Sequence, residues 1–135
     1  MTKRGLGPVE RGGTTLPFGK GAVAGGFVFL SGVDGAVDDH GDPVSGVGAQ
    51  TELALDRLRR YLIEGGSTLD DIVKVVWYVA DRAYLADFFA AREPWLRRES
   101  PALVGERSFA STLVITGLAT EQMLVEVDCI SYAGQ

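Results

Sequence analysis

Two carboxylates, Glu126 and Asp128, sit two residues apart in Leu124-Val125-Glu126-Val127-Asp128-Cys129-Ile130. In a strand that spacing places both on one face, with Val125, Val127 and Cys129 on the other. The apolar row suits packing under helices, so Glu126 and Asp128 are expected on the opposite face, where subunits should meet. A carboxylate held near an interface must be hydrogen-bonded or shifted in pKa, because burying it alone is costly. A carboxyl group raised toward neutrality donates and accepts protons, which is general acid–base chemistry.

Other chemistries have little material. The single histidine, His40, lies in Asp38-Asp39-His40-Gly41-Asp42-Pro43, a run of turn formers where a surface side chain is expected. It leaves no His-pair metal site and no second His-dependent triad. The single cysteine, Cys129, rules out an intrachain disulfide. Gly46-Val47-Gly48 has no preceding strand and no following Lys-Ser/Thr, so it is not read as a phosphate loop. No metal and no cofactor is expected.

Charge narrows the partners. Thirteen Lys and Arg against eighteen Asp and Glu give a net charge of −5, with a pI near 4.8. Such a chain repels phosphate backbones unless a local basic patch intervenes. The close arginines Arg57, Arg59 and Arg60 spread around a helix and read as a solvated face. No nucleic acid is therefore expected as a partner. Residues 1–13 are polar without an apolar signal core, and no apolar stretch approaches membrane-spanning length. A soluble, cytoplasmic protein without a membrane partner is the expectation.

The elements that must position these groups follow from periodicity. The length of 135 residues and an apolar fraction of 46% suit one domain over 1–135, with 1–13 a flexible lead. Phe27-Val28-Phe29-Leu30 reads as a buried strand, and 34–43 as a turn region. Residues 49–63 carry Leu55, Leu58 and Leu62 as an apolar stripe between charges, an amphipathic helix that Gly65-Gly66 stops. Ile72–Val79 is β-branched and aromatic, hence a strand. Tyr84, Leu85, Phe88, Phe89 and Arg92 have helical spacing, and Pro94 is expected to end or kink that helix near Glu93. Residues 97–108 read as loop. Residues 112–118 and 124–132 read as strands joined in a hairpin across 119–123.

The order is that of an α+β domain with two helices covering one face of a sheet. The strands are nevertheless apolar on both sides, since Phe27 and Phe29 alternate with Val28 and Leu30, and Val73, Val75, Trp77 and Val79 with Ile72, Val76 and Tyr78. An open apolar sheet face is an association liability, so an obligate oligomer is expected.

Several segments resemble the YjgF/Rid (reactive intermediate deaminase) family. They are Leu16-Pro17-Phe18-Gly19-Lys20-Gly21-Ala22-Val23, Gly26-Phe27-Val28-Phe29-Leu30-Ser31-Gly32, Gln50-Thr51, Gly65-Gly66-Ser67-Thr68-Leu69-Asp70-Asp71-Ile72-Val73-Lys74-Val75, Ser111-Thr112-Leu113-Val114 and Leu124-Val125-Glu126-Val127-Asp128. The resemblance implies a chorismate-mutase-like fold, a mixed sheet with two helices on one face, and a homotrimer with clefts between subunits. Archetypal members hydrolyse enamine and imine intermediates to keto acids and ammonia. Glu126 matches their glutamate that handles water or a proton, but the arginine of their Pro-Ala-Arg motif, fifteen positions earlier, falls on Ser111. A serine hydroxyl cannot reproduce a bidentate, permanently charged contact with a carboxylate.

By the same resemblance Phe18 stands at a tyrosine-like cleft position, Phe89 where an asparagine is usual, and Leu113 where many members have cysteine. The pocket therefore looks more apolar than the archetype's. Backbone amides around Gly32 and the hydroxyls of Ser31, Ser111 and Thr112 are candidates to polarise a carbonyl or imine or to position water. Arg107, four residues before Ser111, is a candidate replacement cation, and Trp95 is read as packing. The leading expectation is an enzyme acting on a small reactive enamine, imine or related unsaturated intermediate in a specialised metabolic pathway. It would work by hydrolysis, deamination, tautomerisation or cyclisation, with Glu126 as general acid/base. A non-catalytic small-molecule-binding or chaperone-like trimer is the alternative. A ribonuclease or translation inhibitor fits the net charge less well.

Overall fold

The fold comes from a computed structural model that describes residues 2–134. The leucine stripe forms helix α1, Val47–Glu64, with Ala54, Leu55, Leu58 and Leu62 fully buried. Its end is the double glycine. Gly66 takes φ +84°, and the amide of Ser67 turns back to donate to the carbonyl of Leu62.

Among the described residues nine strands accompany the helices. They are β1 (Arg4–Gly5), β2 (Pro8–Arg11), β3 (Thr14–Gly19), β4 (Gly21–Ala24), β5 (Phe27–Leu30), β6 (Val33–Asp34), β7 (Ile72–Val79), β8 (Ala110–Ile115) and β9 (Val125–Tyr132). Seven form one mixed sheet in the order β1-β4-β5-β9-β7-β8, with β6 also on β9. The remaining two, β2 and β3, make a separate antiparallel hairpin. Helices α1 and α2 (Leu85–Glu99) pack on each other and on the sheet. Between them and the sheet lie Val28, Leu30, Val75, Trp77, Val79, Phe88, Leu96, Val125, Val127 and Cys129. The α+β class and the buried row of β9 agree with the sequence reading.

Five expectations are corrected. Residues 112–118 and 124–132 do not pair as a hairpin. Strand β8 lies parallel to β7 at the sheet edge, whereas β9 sits between β5 and β7. Their connection strides across the end of β7, with Thr116 N–H donating to Val79 and Ala80 N–H donating to Leu124. Burial chooses this arrangement. Strand β9 hides four alternate residues and takes the centre, while the first half of β8 is exposed and takes the edge.

Helix α2 does not end near Glu93 but continues through Pro94 to Glu99. Pro94 and Ala90, whose carbonyl loses its donor, both lie on the exposed side, so that carbonyl is not sealed away from solvent. Beyond the proline, buried Trp95 and Leu96 hold the last turns to the core. Part of the expected flexible lead forms β1 and β2, because β1 pairs with β4 and Leu6 and Val9 are buried.

Arg57 is not part of a solvated face. Its side chain is wholly buried and donates to the carbonyls of Asp34 (2.9 Å) and Val37 (2.5 Å) and to Asp39 Oδ1 (3.0 Å). Arg60 remains half exposed on the surface, also paired with Asp39. The two-sided apolar alternation of β7 is offset by one residue as well. An irregularity between Ile72 and Lys74 turns Val73 outward and leaves Ile72 buried with Val75, Trp77 and Val79.

Candidate functional site

The site residues fall into two groups on opposite faces of the sheet. The first centres on Glu126, which β9 places opposite Tyr78 of β7 and Asp34 of β6. Its neighbours along the strand are buried, so its carboxylate projects from the face away from the helices. The carboxyl group lies against the backbone of Gly32. A Cβ added there would come within 2.7 Å of the carboxyl carbon. Glu126 is half-buried, and burial pushes its pKa above the ordinary carboxylate range. The negative charges of Asp34 and Asp128 push it further the same way. Ser31 does not brace it, because its amide donates to Lys20 and its hydroxyl to the carbonyl of Gly19 at 2.5 Å. Phe18, with half its surface exposed, lines a small cavity with Ser31, Gly32, Asp34 and Tyr61.

The second group holds Phe89, Ser111 and Leu113. The parallel register sets Ser111 beside Val75 and Leu113 beside Trp77, on the helix-covered face. Ser111 Oγ accepts a 2.8 Å hydrogen bond from Trp77 Nε1. One protomer therefore does not bring Ser111 to Glu126. Phe89 leans on Phe88 with ring centroids 5.6 Å apart, and Phe88 meets Trp77 edge-on at 5.7 Å.

Sequence reasoning missed the charge in this group. The guanidinium of Arg92 lies 4.9 Å from the Trp77 ring and 5.0 Å from those of Phe88 and Phe89. The signal was available, since Arg92 follows Phe88 and Phe89 by four and three residues and shares their helix face.

The other candidates lie elsewhere. Thr112 is on the opposite face of β8 from Ser111, where its hydroxyl accepts from Lys74 Nζ at 2.7 Å. Arg107 is engaged by the carbonyl of Asp70 at 3.0 Å and Asp71 Oδ1 at 2.5 Å, so it serves the turn before β7. Trp95 is buried packing with Arg59 over its ring, and His40 is exposed in its turn. Burial pushes the Cys129 thiol up to about 12, which makes it a poor nucleophile. Among the described residues no three His, Cys, Asp or Glu side chains gather as metal ligands, and no helix is long and apolar enough to cross a membrane.

Residues 12–133 match the family model described as Endoribonuclease L-PSP, the YjgF/Rid group whose motifs the sequence carries. The chain belongs to this family. Among YjgF/Rid relatives, a RutC family protein of Pyrococcus abyssi is 27% identical over 117 residues, 86% of each chain. A second, from Pyrococcus horikoshii, is 26% identical over the same share. The crystal structure of a YjgF-family protein from Neisseria meningitidis superposes with a TM-score of 0.78 at 23% identity, over 100% of this chain and 98% of that one. Escherichia coli TdcF, solved with bound serine, superposes at 0.76 with 18% identity, over 88% of this chain and 90% of that one. These superpositions establish the YjgF/Rid fold.

Proposed function

We propose that the protein is a small-molecule enzyme acting on a reactive enamine, imine or related unsaturated intermediate, with Glu126 as its general acid/base. The observation that carries this is the Glu126 carboxyl, half-buried against Gly32 with its pKa raised by burial and by two neighbouring carboxylates. Such a group keeps its proton to a higher pH than an ordinary carboxylate and is a better base once ionised. For an imine, Glu126 takes a proton from water as the water oxygen bonds to the C=N carbon and the π pair moves to nitrogen, and Glu126 then gives that proton to the nitrogen. The carbinolamine hydroxyl next loses its proton to Glu126, which passes it to the amine as the C=O bond forms and the C–N bond breaks, so ammonia leaves and Glu126 returns to its starting state. The bare Gly32 backbone lets the Glu126 carboxyl seat against it, and exposed Phe18 supplies an apolar wall nearby.

The site is completed by self-association into a homotrimer. Phe29, Val73 and Tyr132 are each more than two-fifths exposed, and Phe27 joins Phe29 and Tyr132 in one aromatic patch on the Glu126 side of the sheet. A second protomer covering that patch removes apolar surface from water and encloses Glu126. That TdcF binds serine supports a small polar ligand for the same fold.

The test is turnover of a panel of enamines and imines generated in situ, read as ammonia and carbonyl product, with sedimentation to measure the oligomer. Turnover by the wild type that Glu126→Gln abolishes in an intact trimer supports the reading. Ligand binding without turnover, unchanged by Glu126→Gln, favours a binding protein, which the engagement of Ser111 by Trp77 would suit.

A further inference from the structure

Gln50 lies in the first turn of α1 and is 2% exposed. Both ends of its side-chain amide are engaged. Nε2 donates to the carbonyls of Val44 and Gln122, each at 2.9 Å, and Oε1 accepts from the Leu124 amide at 3.0 Å. Two carbonyls and one N–H leave the amide a single orientation. One side chain thus ties together the segment before α1, the connection from β8 and the residue that precedes β9, the last two more than seventy positions away.

Apolar packing alone does not fix that connection. No residue of 116–124 is buried, and its backbone ties to the sheet are Thr116 on Val79 and Ala80 on Leu124. Helix α1 is already seated on the sheet by Ala54, Leu55, Leu58 and Leu62. The Gln50 amide therefore adds a grip on the loops that the core does not supply.

The same residue meets the other half of the site through its backbone. A Cβ added at Gly35 would overlap the carbonyl oxygen of Gln50, so the chain just after β6 lies directly on the helix. Gly32 stands three residues before that contact and Glu126 two residues after Leu124, and β6 pairs with β9 at Asp34 and Glu126. Both partners of the Glu126–Gly32 contact are thus placed from one helical residue.

We propose that Gln50 is a positioning residue: by holding Leu124 with its side chain and Gly35 with its backbone, it sets where the Glu126 carboxyl rests against Gly32. The role deepens the reading of Glu126 as general acid/base and rests on it for its catalytic meaning. The placement of the carboxyl is a structural property that can be read without turnover. Asp34 from β6, Tyr78 from β7 and Asp128 on its own strand surround Glu126, so a displaced carboxyl changes its distance to each and its exposure to water.

The experiment is a carbon-13 NMR titration of the Glu126 carboxyl in wild type, Gln50→Met, Gln50→Asn and Ser67→Ala, with kcat and KM for an imine substrate measured on the same proteins. Gln50→Met keeps the length of the side chain without its hydrogen bonds. Gln50→Asn only shortens its reach, and carries the test if the first variant does not fold. Ser67→Ala removes a buried tie to the far end of β9, at Ser131 and the carbonyl of Tyr132, and so measures general loosening. In both Gln50 variants the titration midpoint should fall from its raised position toward the ordinary 4.5. Their kcat should fall at least about tenfold with KM within about threefold. Ser67→Ala should leave the midpoint in place. Unchanged midpoints in the Gln50 variants, or an equal fall in Ser67→Ala, overturn the proposal. If the midpoint falls but wild type turns over no imine, the enzyme reading fails and the positioning role stands. If turnover needs Glu126 and neither Gln50 variant moves the midpoint, the positioning role fails and the enzyme reading stands.

Discussion

Glu126 rests its carboxyl on Gly32, at a distance that leaves no room for a side chain there, since an added Cβ would lie 2.7 Å from the carboxyl carbon. A β6–β9 pairing sets this contact, and it ties a loop glycine to a carboxylate that burial and two neighbouring charges hold above its ordinary pKa.

Gly32→Ala follows directly. The obstructing atoms belong to the far end of a flexible side chain, and Gly32 does not adopt a positive φ, so the fold should lose less than about 1 kcal/mol. Glu126 must swing aside, so turnover should fall at least about tenfold. Thermal unfolding and steady-state rates measured on the same preparation check both halves.

Glu126→Gln should remove turnover by about a hundredfold or more and still stabilise the fold at neutral pH. Burial and the charges of Asp34 and Asp128 hold the native carboxyl above its ordinary 4.5. The unfolded chain therefore loses this proton first, and native stability drops as pH rises from the ordinary range through the raised native value. Glutamine has no such loss. The variant's melting temperature should match wild type in acid and exceed it above that window.

Asp34→Asn takes away one of the charges that raise Glu126. The acidic limb of the rate profile should move to lower pH, since the carboxyl then ionises more readily. A limb that stays in place would mean that Asp34 does not reach the titrating group.

Arg57→Met fills similar volume but leaves the carbonyls of Asp34 and Val37 without their donor, a loss of about 2–4 kcal/mol in chemical unfolding. The Arg57 hydrogen bond, and after it Arg60, holds Asp39 below its ordinary 3.8. That contribution is present above the ordinary value and is lost as pH falls through the lower native one. Wild type should therefore lose part of its advantage over the variant in strong acid.

Pro94→Ala restores a donor to the Ala90 carbonyl inside α2 and removes a ring from the helix interior. A gain of about 1–3 kcal/mol is expected, reduced by the entropy the unfolded chain regains. Equilibrium urea unfolding measures it.

The alternation of β9 settled early which of its side chains enter the core, because a strand's period of two is local to the strand. Thus Val125, Val127 and Cys129 are buried and Glu126 is not, as the sequence implied. The leucine stripe and double glycine of α1 were legible for the same reason, as each is decided within a few residues. Family motifs added the fold, whose sheet and two helices the structure bears out. What sequence alone could not decide is which face meets which. Ser111 and Glu126 are on opposite faces because the parallel register of β8 on β7 pairs Ser111 with Val75, and register is chosen by packing across distant segments. Arg57 looks like its surface neighbours in the sequence and is buried only because the carbonyls of 34–37 fold over it. Arg92 becomes a housed cation only when Trp77, fifteen positions earlier on another element, closes its niche. Periodicity assigns a side chain to a face of its own element, whereas desolvation, pKa and partnership depend on the chain that arrives from elsewhere, and in this protein the chemistry resides there.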